Sequence, residues 1–384
     1  MAVFHFPVKI VSAPGCLKEL PEELNRLGAH RPLIVTDPGI TKAGIVDRVT
    51  RHLKDKDLPF NVFDGVEPDP KLKNAVEAAN AAKKGDHDLI IGLGGGSSID
   101  TAKASAILTT NDINLEDFQG PRASYPGPPL PLVTIPTTAG TGSEVSSAAV
   151  IVNEEKKYKM FFKSPEIFSK VAFLDADVLV GVPSQIAAET GADTLSHALE
   201  SFFNPNGTFI TEKLSFGSIE LIFLNLRAFV ANTADSRRAQ NMLNASCLAG
   251  IAMTTAGLGL VHALAHPIGV RGRIGHGLAC ALLLPHVLHF NWPVDPDRFL
   301  KLASAIDWTI RVRYPSARQA SLEVINEIKD ILSDIGLPRK LSEIGVSLDD
   351  SDAVIDEAYG SFLNQVNPRP ASRKDLEKIV SEII

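Results

Sequence analysis

Histidines are concentrated in one short stretch of the chain, VHALAHPIGVRGRIGHG at residues 261–277, which holds three of the 10 histidines in 384 residues. His262 and His266 are four residues apart, so on a helix they share one face. Pro267 interrupts the stretch, and His276 is therefore expected in a loop. Such imidazoles either bind a divalent metal ion or are hydrogen-bonded residues of a helical core.

An upstream segment repeats the four-residue spacing with a second kind of ligand. In GADTLSHALE, residues 191–200, Asp193 and His197 lie on one helical face. A carboxylate and a histidine from one helix, with histidines from another segment, can enclose a divalent metal ion. The sequence HALAH lacks the glutamate of the zinc-protease motif HExxH, which argues against a hydrolase.

A glycine-rich turn follows the apolar run DLIIGL at residues 88–93. Consecutive glycines allow positive φ and close approach of the backbone to a ligand. Ser97 or Ser98 could cap the helix that follows, and its free N–H groups favour an anion such as a pyrophosphate. A flexible turn is the alternative. The residues of interest are Gly94, Gly95, Gly96 and Ser97.

Two further loops follow strand-like runs. PTTAGTGSE, residues 136–144, offers the hydroxyls of Thr137, Thr138 and Thr141 around two glycines. Ligands of open α/β sheets bind at the carboxyl ends of the strands, so two such loops in one sheet indicate a nucleotide site. Asp37 ends another run, where an acid can accept a hydrogen bond from a ribose 2′-OH, or serve only as a turn residue.

The composition, with 45% hydrophobic and 22% charged residues, is typical of a globular protein long enough for two domains. A net charge of -7 gives no electrostatic footprint for nucleic acid, although Lys156, Lys157 and Lys159 could bind an anion.

Cys16, Cys247 and Cys280 are widely spaced, which argues against a disulfide framework and a cysteine zinc site. The chain begins without a signal-peptide pattern, and its apolar run at 280–290 is too short to span a bilayer. A cytoplasmic protein without a membrane partner is expected.

The first half alternates short apolar runs with helical periodicity, which predicts βαβ units and a mostly parallel sheet. Predicted strands are 32–36, 88–93, 132–135, 148–152 and 171–174; predicted helices include 71–84 and 97–108, and 111–131 is a predicted loop. From about residue 183 the pattern becomes helical, with Ser184 as the expected N-cap. The predicted domains are 1–183, α/β, and 184–384, all-α.

Five motifs occur in an order that resembles the iron-containing (group III) alcohol dehydrogenases, and the likeness spans nearly the whole chain. They are GGGSSIDTAK from Gly94, TTAGTGSE from Thr137, GADTLSHALE from Gly191, HALAHP from His262 and HGLA from His276.

The resemblance implies an NAD-binding α/β domain and a helical catalytic domain, with the active site in the cleft between them. It implies that one Fe²⁺, or Zn²⁺, is bound by Asp193, His197, His262 and His276, with His266 beside the metal. Asp37 matches a position where an acid favours NAD over NADP. Dimers are common in the family, so a homodimer or larger homo-oligomer is expected. The remaining positions that match cofactor contacts are Gly94, Gly95, Gly96, Ser97, Thr137, Thr138, Thr141 and Lys159.

One local departure concerns the segment between the two histidine motifs, where this chain has Arg271 and Arg273. They are either solvated loop residues or contacts for an acidic substrate such as a carboxylated aldehyde.

The expected reaction is hydride transfer between NAD(H) and a small alcohol or aldehyde, with the metal as Lewis acid and His266 passing the proton onward. Alternatives are a glycerol dehydrogenase-like polyol enzyme, a dehydroquinate synthase-like lyase and a hydroxyacid–oxoacid transhydrogenase. The alternative outside enzymes is a nucleotide-binding regulatory protein with a vestigial site.

Overall fold

The computed structural model describes residues 4–120, 123–156, 158–348 and 350–384, so Lys157 lies outside the described residues. The chain divides into two compact units, Phe6–Val180 and Gly181–Ile384, with the residues before Phe6 grouped with the second. The predicted boundary near residue 183 lies close to this division. The function assigned to each domain, and the active site between them, stay predictions.

The first unit is built on a parallel sheet in the strand order β1-β8-β5-β4-β2-β3, which confirms the predicted α/β fold class. An antiparallel pair, β6 and β7, stands apart from this sheet. The strands are β1 Lys9–Ser12, β2 Pro32–Val35, β3 Asn61–Phe63, β4 Leu89–Gly94, β5 Leu132–Pro136, β6 Ala148–Asn153, β7 Tyr158–Lys163 and β8 Val171–Leu174.

Helices cover both faces of the sheet, which is why its central strands are buried at every position. In β2, Ile34 belongs to the cluster formed with α1 and α3, whereas Leu33 and Val35 belong to the cluster formed with α4 and α5. The helices of this unit are α1 Leu20–Arg26, α2 Pro38–Lys42, α3 Ile45–Lys54, α4 Leu72–Lys84 and α5 Gly96–Thr110.

The run at residues 148–152 is a strand, as predicted, but it belongs to the β6–β7 hairpin and not to the parallel sheet. Its burial alternates along the strand, with Ala149 and Ile151 inside, as expected for a pair with one solvated face. The predicted loop 111–131 contains a short 3-10 turn, Leu115–Phe118.

The second unit is helical over its described residues, as predicted. Its helices are α6 Ser184–Phe203, α7 Phe209–Ala231, α8 Ser236–Ala256, α9 Leu260–Gly272, α10 His276–Asn291, α11 Pro296–Ile306, α12 Ile310–Arg313, α13 Ala317–Asp334, α14 Ser351–Gly360, α15 Phe362–Gln365 and α16 Arg373–Ile383. Helices α6, α7 and α8 pack on one another, and α6 and α9 both contact α10.

Two predicted helix caps are wrong. Ser184 is the first residue of α6, and the N-cap is Pro183, which has no side chain that can accept a hydrogen bond. The N-cap of α5 is Gly95, so neither Ser97 nor Ser98 caps that helix; the Ser98 hydroxyl donates instead to Asp37 Oδ2 at 3.1 Å.

Helix α7 is long and apolar enough, by composition, to cross a membrane. Buried helices of globular proteins have the same composition, and α7 packs Ile219, Ile222 and Leu226 inside the second unit. The predicted absence of a membrane partner therefore stays a prediction.

Candidate metal centre and nucleotide loops

The side chains of Asp193, His197, His262 and His276 converge in the helical unit. Asp193 Oδ1 lies 3.6 Å from Nε2 of His197, 3.7 Å from Nε2 of His262 and 3.6 Å from Nε2 of His276. The same oxygen is buried and has no hydrogen-bond partner among the described residues. Donor atoms that share a tetrahedral ion with bonds of about 2.1 Å lie about 3.4 Å apart. The spacing therefore fits a shared cation better than direct hydrogen bonds.

Close helix contacts bring these ligands together. A Cβ on Gly277 would lie 2.2 Å from the backbone oxygen of Glu189, so glycine is required where α10 begins against α6. A Cβ on Gly191 would lie 2.3 Å from Leu226 Cδ1, so a larger residue there would displace this side chain of α7. These contacts fix α6, with its acid and histidine, beside the start of α10.

The two helices that carry the other histidines differ from expectation. Helix α9 continues through Pro267 to Gly272, at the cost of the backbone hydrogen bond that proline cannot donate. His276 is the first residue of α10 rather than part of a loop, and it is the most exposed of the candidate ligands.

Glu200, which was not predicted as a functional residue, orients His262. Its Oε2 lies 2.5 Å from His262 Nδ1, and its Oε1 accepts a hydrogen bond from the backbone N–H of Val261 at 2.6 Å. A carboxylate on Nδ1 holds the proton there and leaves the Nε2 lone pair facing Asp193. Glu200 thus accepts a hydrogen bond at the start of α9 and orients His262, the first histidine of that helix.

Cys280 is the second residue that sequence analysis missed. One ligand atom from each of Asp193, His262, His276 and Cys280 lies within 4.8 Å of all the others. Burial raises the pKa of the Cys280 thiol to about 12. This group of four excludes His197, although His197 reaches the same Asp193 oxygen.

The electrostatics of the cluster favour an ionised aspartate. Burial opposes ionisation of Asp193, but His197, His276 and His262 outweigh it and hold the pKa of the carboxyl below its usual range. A buried anion of this kind needs a compensating positive charge, which protonated imidazoles or a metal ion can supply.

His266 lies beside the cluster and outside it. Its ring stacks against His276 with centroids 5.4 Å apart, and meets the ring of His262 edge-on at 6.0 Å. A histidine in this position can exchange protons with groups at the site while leaving the ligand set unchanged.

In the first unit, the glycine loop joins β4 directly to α5. Gly94 has φ 144°, a conformation in which other residues are strained, and a Cβ there would lie 2.5 Å from Ser98 Oγ. No side chain caps α5 at Gly95, so the first N–H groups of the helix are available to an anion.

The threonine loop after β5 packs onto this glycine loop. A Cβ on Gly96 would lie 2.8 Å from Thr141 Cγ2, one on Gly95 would lie 3.4 Å from Thr138 Oγ1, and the N–H of Thr137 donates to Gly94 O at 3.0 Å. Packing of the two loops therefore also favours glycine at 96, whereas the contact at Gly95 is of ordinary van der Waals length. Thr137 Oγ1 is buried without a hydrogen-bond partner in the described part of the chain, which suits a bound polar ligand.

Asp37 has the turn role considered for it, and its role toward a ribose stays a prediction. It caps α2 by accepting from the N–H groups of Gly39 and Ile40, and its second oxygen accepts from Ser98 beside the glycine loop. Because β2 neighbours β4 in the sheet, the acid lies at the carboxyl edge that carries the loop.

Three predicted contact residues have other partners or surroundings. Lys159 lies on β7 and pairs with Asp69 at 3.0 Å. Arg271 is exposed near the end of α9 and pairs with Glu357 at 2.9 Å. Arg273 is exposed at the C-cap of α9 with φ 52°, a left-handed conformation. Their roles toward cofactor and substrate stay predictions.

A buried polar cluster holds the threonine loop against α5. The fully buried Lys103 donates to the hydroxyls of Ser143 and Ser146, each at 3.0 Å, and burial lowers its pKa to about 8. Asp100 accepts hydrogen bonds from Ser143 Oγ and, at 2.9 Å, from the N–H of Val150. Burial also raises the pKa of Glu144, in the same loop, to about 7.

A parallel α/β unit with a glycine-rich loop after a strand, and a helical unit with a carboxylate–imidazole cluster, define a metal-dependent dehydrogenase that uses a dinucleotide. Family comparison agrees with that class. A model described as "Iron-containing alcohol dehydrogenase" matches residues 7–176, and one described as "Fe-containing alcohol dehydrogenase family, C-terminal" matches residues 187–384. The chain belongs to the iron-containing alcohol dehydrogenase family, as its motifs predicted.

Individual relatives match along their whole length. The chain is 32% identical to the NAD-dependent methanol dehydrogenase of Bacillus methanolicus over 384 residues, covering 100% of both chains. It is 33% identical to the lactaldehyde reductase of Escherichia coli strain K12 over 367 residues, covering 95% of each. The solved alcohol dehydrogenase from Oenococcus oeni superposes with a TM-score of 0.95 at 34% identity, covering 100% of both chains.

Replacing Glu200 with Gln should weaken metal binding by roughly 10- to 100-fold, because His262 loses the carboxylate that fixes its Nδ1 proton. The affinity is measured by competition with a chelator. Glu220→Gln, an exposed change on α7, is the matched control and should bind metal as the wild type does. Equal affinities for all three proteins would contradict the role of Glu200.

Glu144→Gln should become more stable relative to wild type as the pH rises. Because the folded pKa of Glu144 is raised from 4.5 to about 7, the folded state keeps a proton over that interval that the unfolded chain has lost. The contribution of Glu144 to folding stability therefore falls as the pH rises from 4.5 to about 7, and Gln lacks this loss. Melting temperatures at both ends of the interval test it, with the exposed change Glu155→Gln as control; a pH-independent difference would refute it.

Proposed function

We propose that this enzyme interconverts a small alcohol and its aldehyde with NAD(H), at a single divalent cation held by Asp193, His197, His262 and His276. The observation that carries the proposal is the convergence of three Nε2 atoms, at 3.6, 3.7 and 3.6 Å, on one buried carboxylate oxygen. The similarity to the NAD-dependent methanol dehydrogenase of Bacillus methanolicus supports NAD as the cofactor.

The bound groups would supply the reactive chemistry: Fe²⁺ or Zn²⁺ acts as a Lewis acid on the substrate oxygen, and the nicotinamide exchanges hydride with the carbon. The chain supplies alignment. Glu200 holds the His262 proton on Nδ1, so Nε2 remains a ligand. His266, beside the cluster, carries a proton between substrate and solvent.

On the nucleotide side, the proposal assigns the pyrophosphate to the start of α5, at Gly94, Gly95, Gly96 and Ser97. Thr137, Thr138 and Thr141 are assigned to the cofactor from the adjoining loop, and Lys159 to the nicotinamide ribose. Asp37 would accept from the adenosine ribose 2′-OH and repel a 2′-phosphate, so NADP should be the poorer cofactor. A homodimer or larger homo-oligomer in the cytoplasm completes the proposal.

Replacing His262 with Ala should remove both the metal and turnover and leave NADH binding intact, because the nucleotide loops belong to the other unit. Metal content is measured by elemental analysis, NADH binding by fluorescence titration, and turnover by NADH oxidation with an aldehyde. His289→Ala, an exposed histidine of α10, is the control and should change none of the three. A metal-free His262→Ala protein with full activity would refute the proposal.

The rival functions make different predictions in the same assays. A transhydrogenase would exchange hydride between two acids on tightly held NAD and would not oxidise added NADH with an aldehyde. A glycerol dehydrogenase-like enzyme would favour polyols over simple alcohols. A regulatory protein with a vestigial site would bind nucleotide without turnover, but the chain retains all four predicted ligands.

Replacing both Arg271 and Arg273 with Ala should raise KM for a carboxylated aldehyde by about tenfold and leave KM for a neutral aldehyde unchanged, if the enzyme takes acidic substrates. Of the two single variants, Arg273→Ala should raise KM for the carboxylated aldehyde more than Arg271→Ala does. Arg271 already pairs with Glu357, whereas Arg273 has no acidic partner among the described residues. Arg311→Ala, an exposed change on α12, is the control. Equal effects on both aldehydes would exclude the acidic substrate.

A further inference from the structure

Cys280 occupies a position in the metal cluster that the four proposed ligands leave unexplained. It lies on α10 one turn after His276 and is fully buried. Its Sγ is 3.7 Å from His276 Nε2 and 4.0 Å from His262 Nε2, the same two nitrogens that face Asp193. The sulfur therefore lies beside the Nε2 atoms, the nitrogens with which these imidazoles would bind a metal ion.

These separations fit a shared ion. With a metal–sulfur bond of about 2.3 Å and a metal–nitrogen bond of about 2.1 Å, a sulfur and a nitrogen on one ion lie about 3.1 to 4.4 Å apart, depending on the angle between the bonds. A second, independent observation is the buried Asp193 Oδ1, which has no hydrogen-bond partner in the described part of the chain. Oxygen, nitrogen and sulfur thus surround one point, each with a donor atom within 4.8 Å of the others.

A role limited to packing does not account for this arrangement. His262 Nδ1 is already engaged by Glu200, so its Nε2 is the atom left for a cation. Filling space on α10 does not require the sulfur to face the Nε2 atoms of two histidines from different helices. A thiol would donate a weak S–H···N hydrogen bond to them, whereas a thiolate would share their ion. Cys247, buried on α8, lies outside the donor cluster and is therefore the buried cysteine with which Cys280 can be compared.

We infer that Cys280 is a thiolate ligand of the metal, in addition to Asp193, His197, His262 and His276. This inference rests on the proposed function, because it assumes that the cluster holds a metal. A sulfur donor makes the site softer than one built from oxygen and nitrogen alone, and it favours Zn²⁺ over Fe²⁺ beyond their usual difference in affinity. The chain thereby carries a selectivity determinant in addition to its four predicted ligands.

Cobalt substitution tests separately whether the cluster binds a metal ion and whether Cys280 is one of its ligands. The purified full-length protein is stripped with a chelator and loaded with Co²⁺; visible d–d bands report that the cluster binds metal, and an intense near-ultraviolet thiolate-to-cobalt band reports that sulfur is a ligand. The wild type and Cys247→Ser should have both signals, and Cys280→Ser should keep the visible bands and lose the ultraviolet one. The zinc affinity of Cys280→Ser should fall by at least about tenfold.

The outcomes distinguish the two claims. Visible bands without a charge-transfer band in the wild type would overturn the role of Cys280 and leave the proposed function standing. No cobalt binding by the wild type would overturn the metal centre itself. Should Cys280→Ser fail to fold, X-ray absorption of the wild-type zinc protein decides the matter, since a sulfur neighbour at about 2.3 Å supports ligation and a shell of only oxygen and nitrogen refutes it.

Discussion

The buried carboxylate of Asp193 is the constraint on which the helical unit depends. An ionised group removed from water is costly unless an opposite charge and oriented donors replace its hydration. Three imidazole nitrogens face its Oδ1, yet each lies too far away for a strong hydrogen bond. The arrangement is therefore incomplete as a protein hydrogen-bond network, and a cation that accepts all the donors at once completes it.

Other residues of the helical unit hold the groups around the Asp193 carboxylate in position. Gly277 lets α10 approach the backbone of α6 more closely than any other residue would allow, and Gly191 leaves room for the Leu226 side chain of α7. Glu200 then fixes the tautomer of His262 from behind while accepting the Val261 N–H at the start of α9. The carboxylate of Glu200 thus orients His262 and also holds the start of the helix that carries it. This is why Glu200 matters to the site although it is not a ligand.

The sequence was sufficient for features that depend on local pattern. Continuous apolar runs predicted strands such as Val171–Leu174, and the four-residue spacing placed Asp193 and His197 on one helix face. It was insufficient where the determinant is a partner distant in the chain. Residues 148–152 have the apolar character of a sheet strand, but they pair with β7. Cys280 was set aside because no second cysteine lies near it, although its partners are histidines and an aspartate.

The two halves of the proposed site differ in what specifies them, and this difference explains the uneven success of prediction. The nucleotide loops use backbone: Gly94 is required by its φ of 144°, Gly96 by the approach of Thr141, and the ligand-binding groups would be N–H groups that every residue carries. A site built from backbone groups can be predicted from the sequence, because its loops require glycine at particular positions. The metal centre uses side chains from three helices, so its membership is decided by packing. A motif identifies the residues that usually take part, and only the geometry reveals an additional donor such as the Cys280 sulfur.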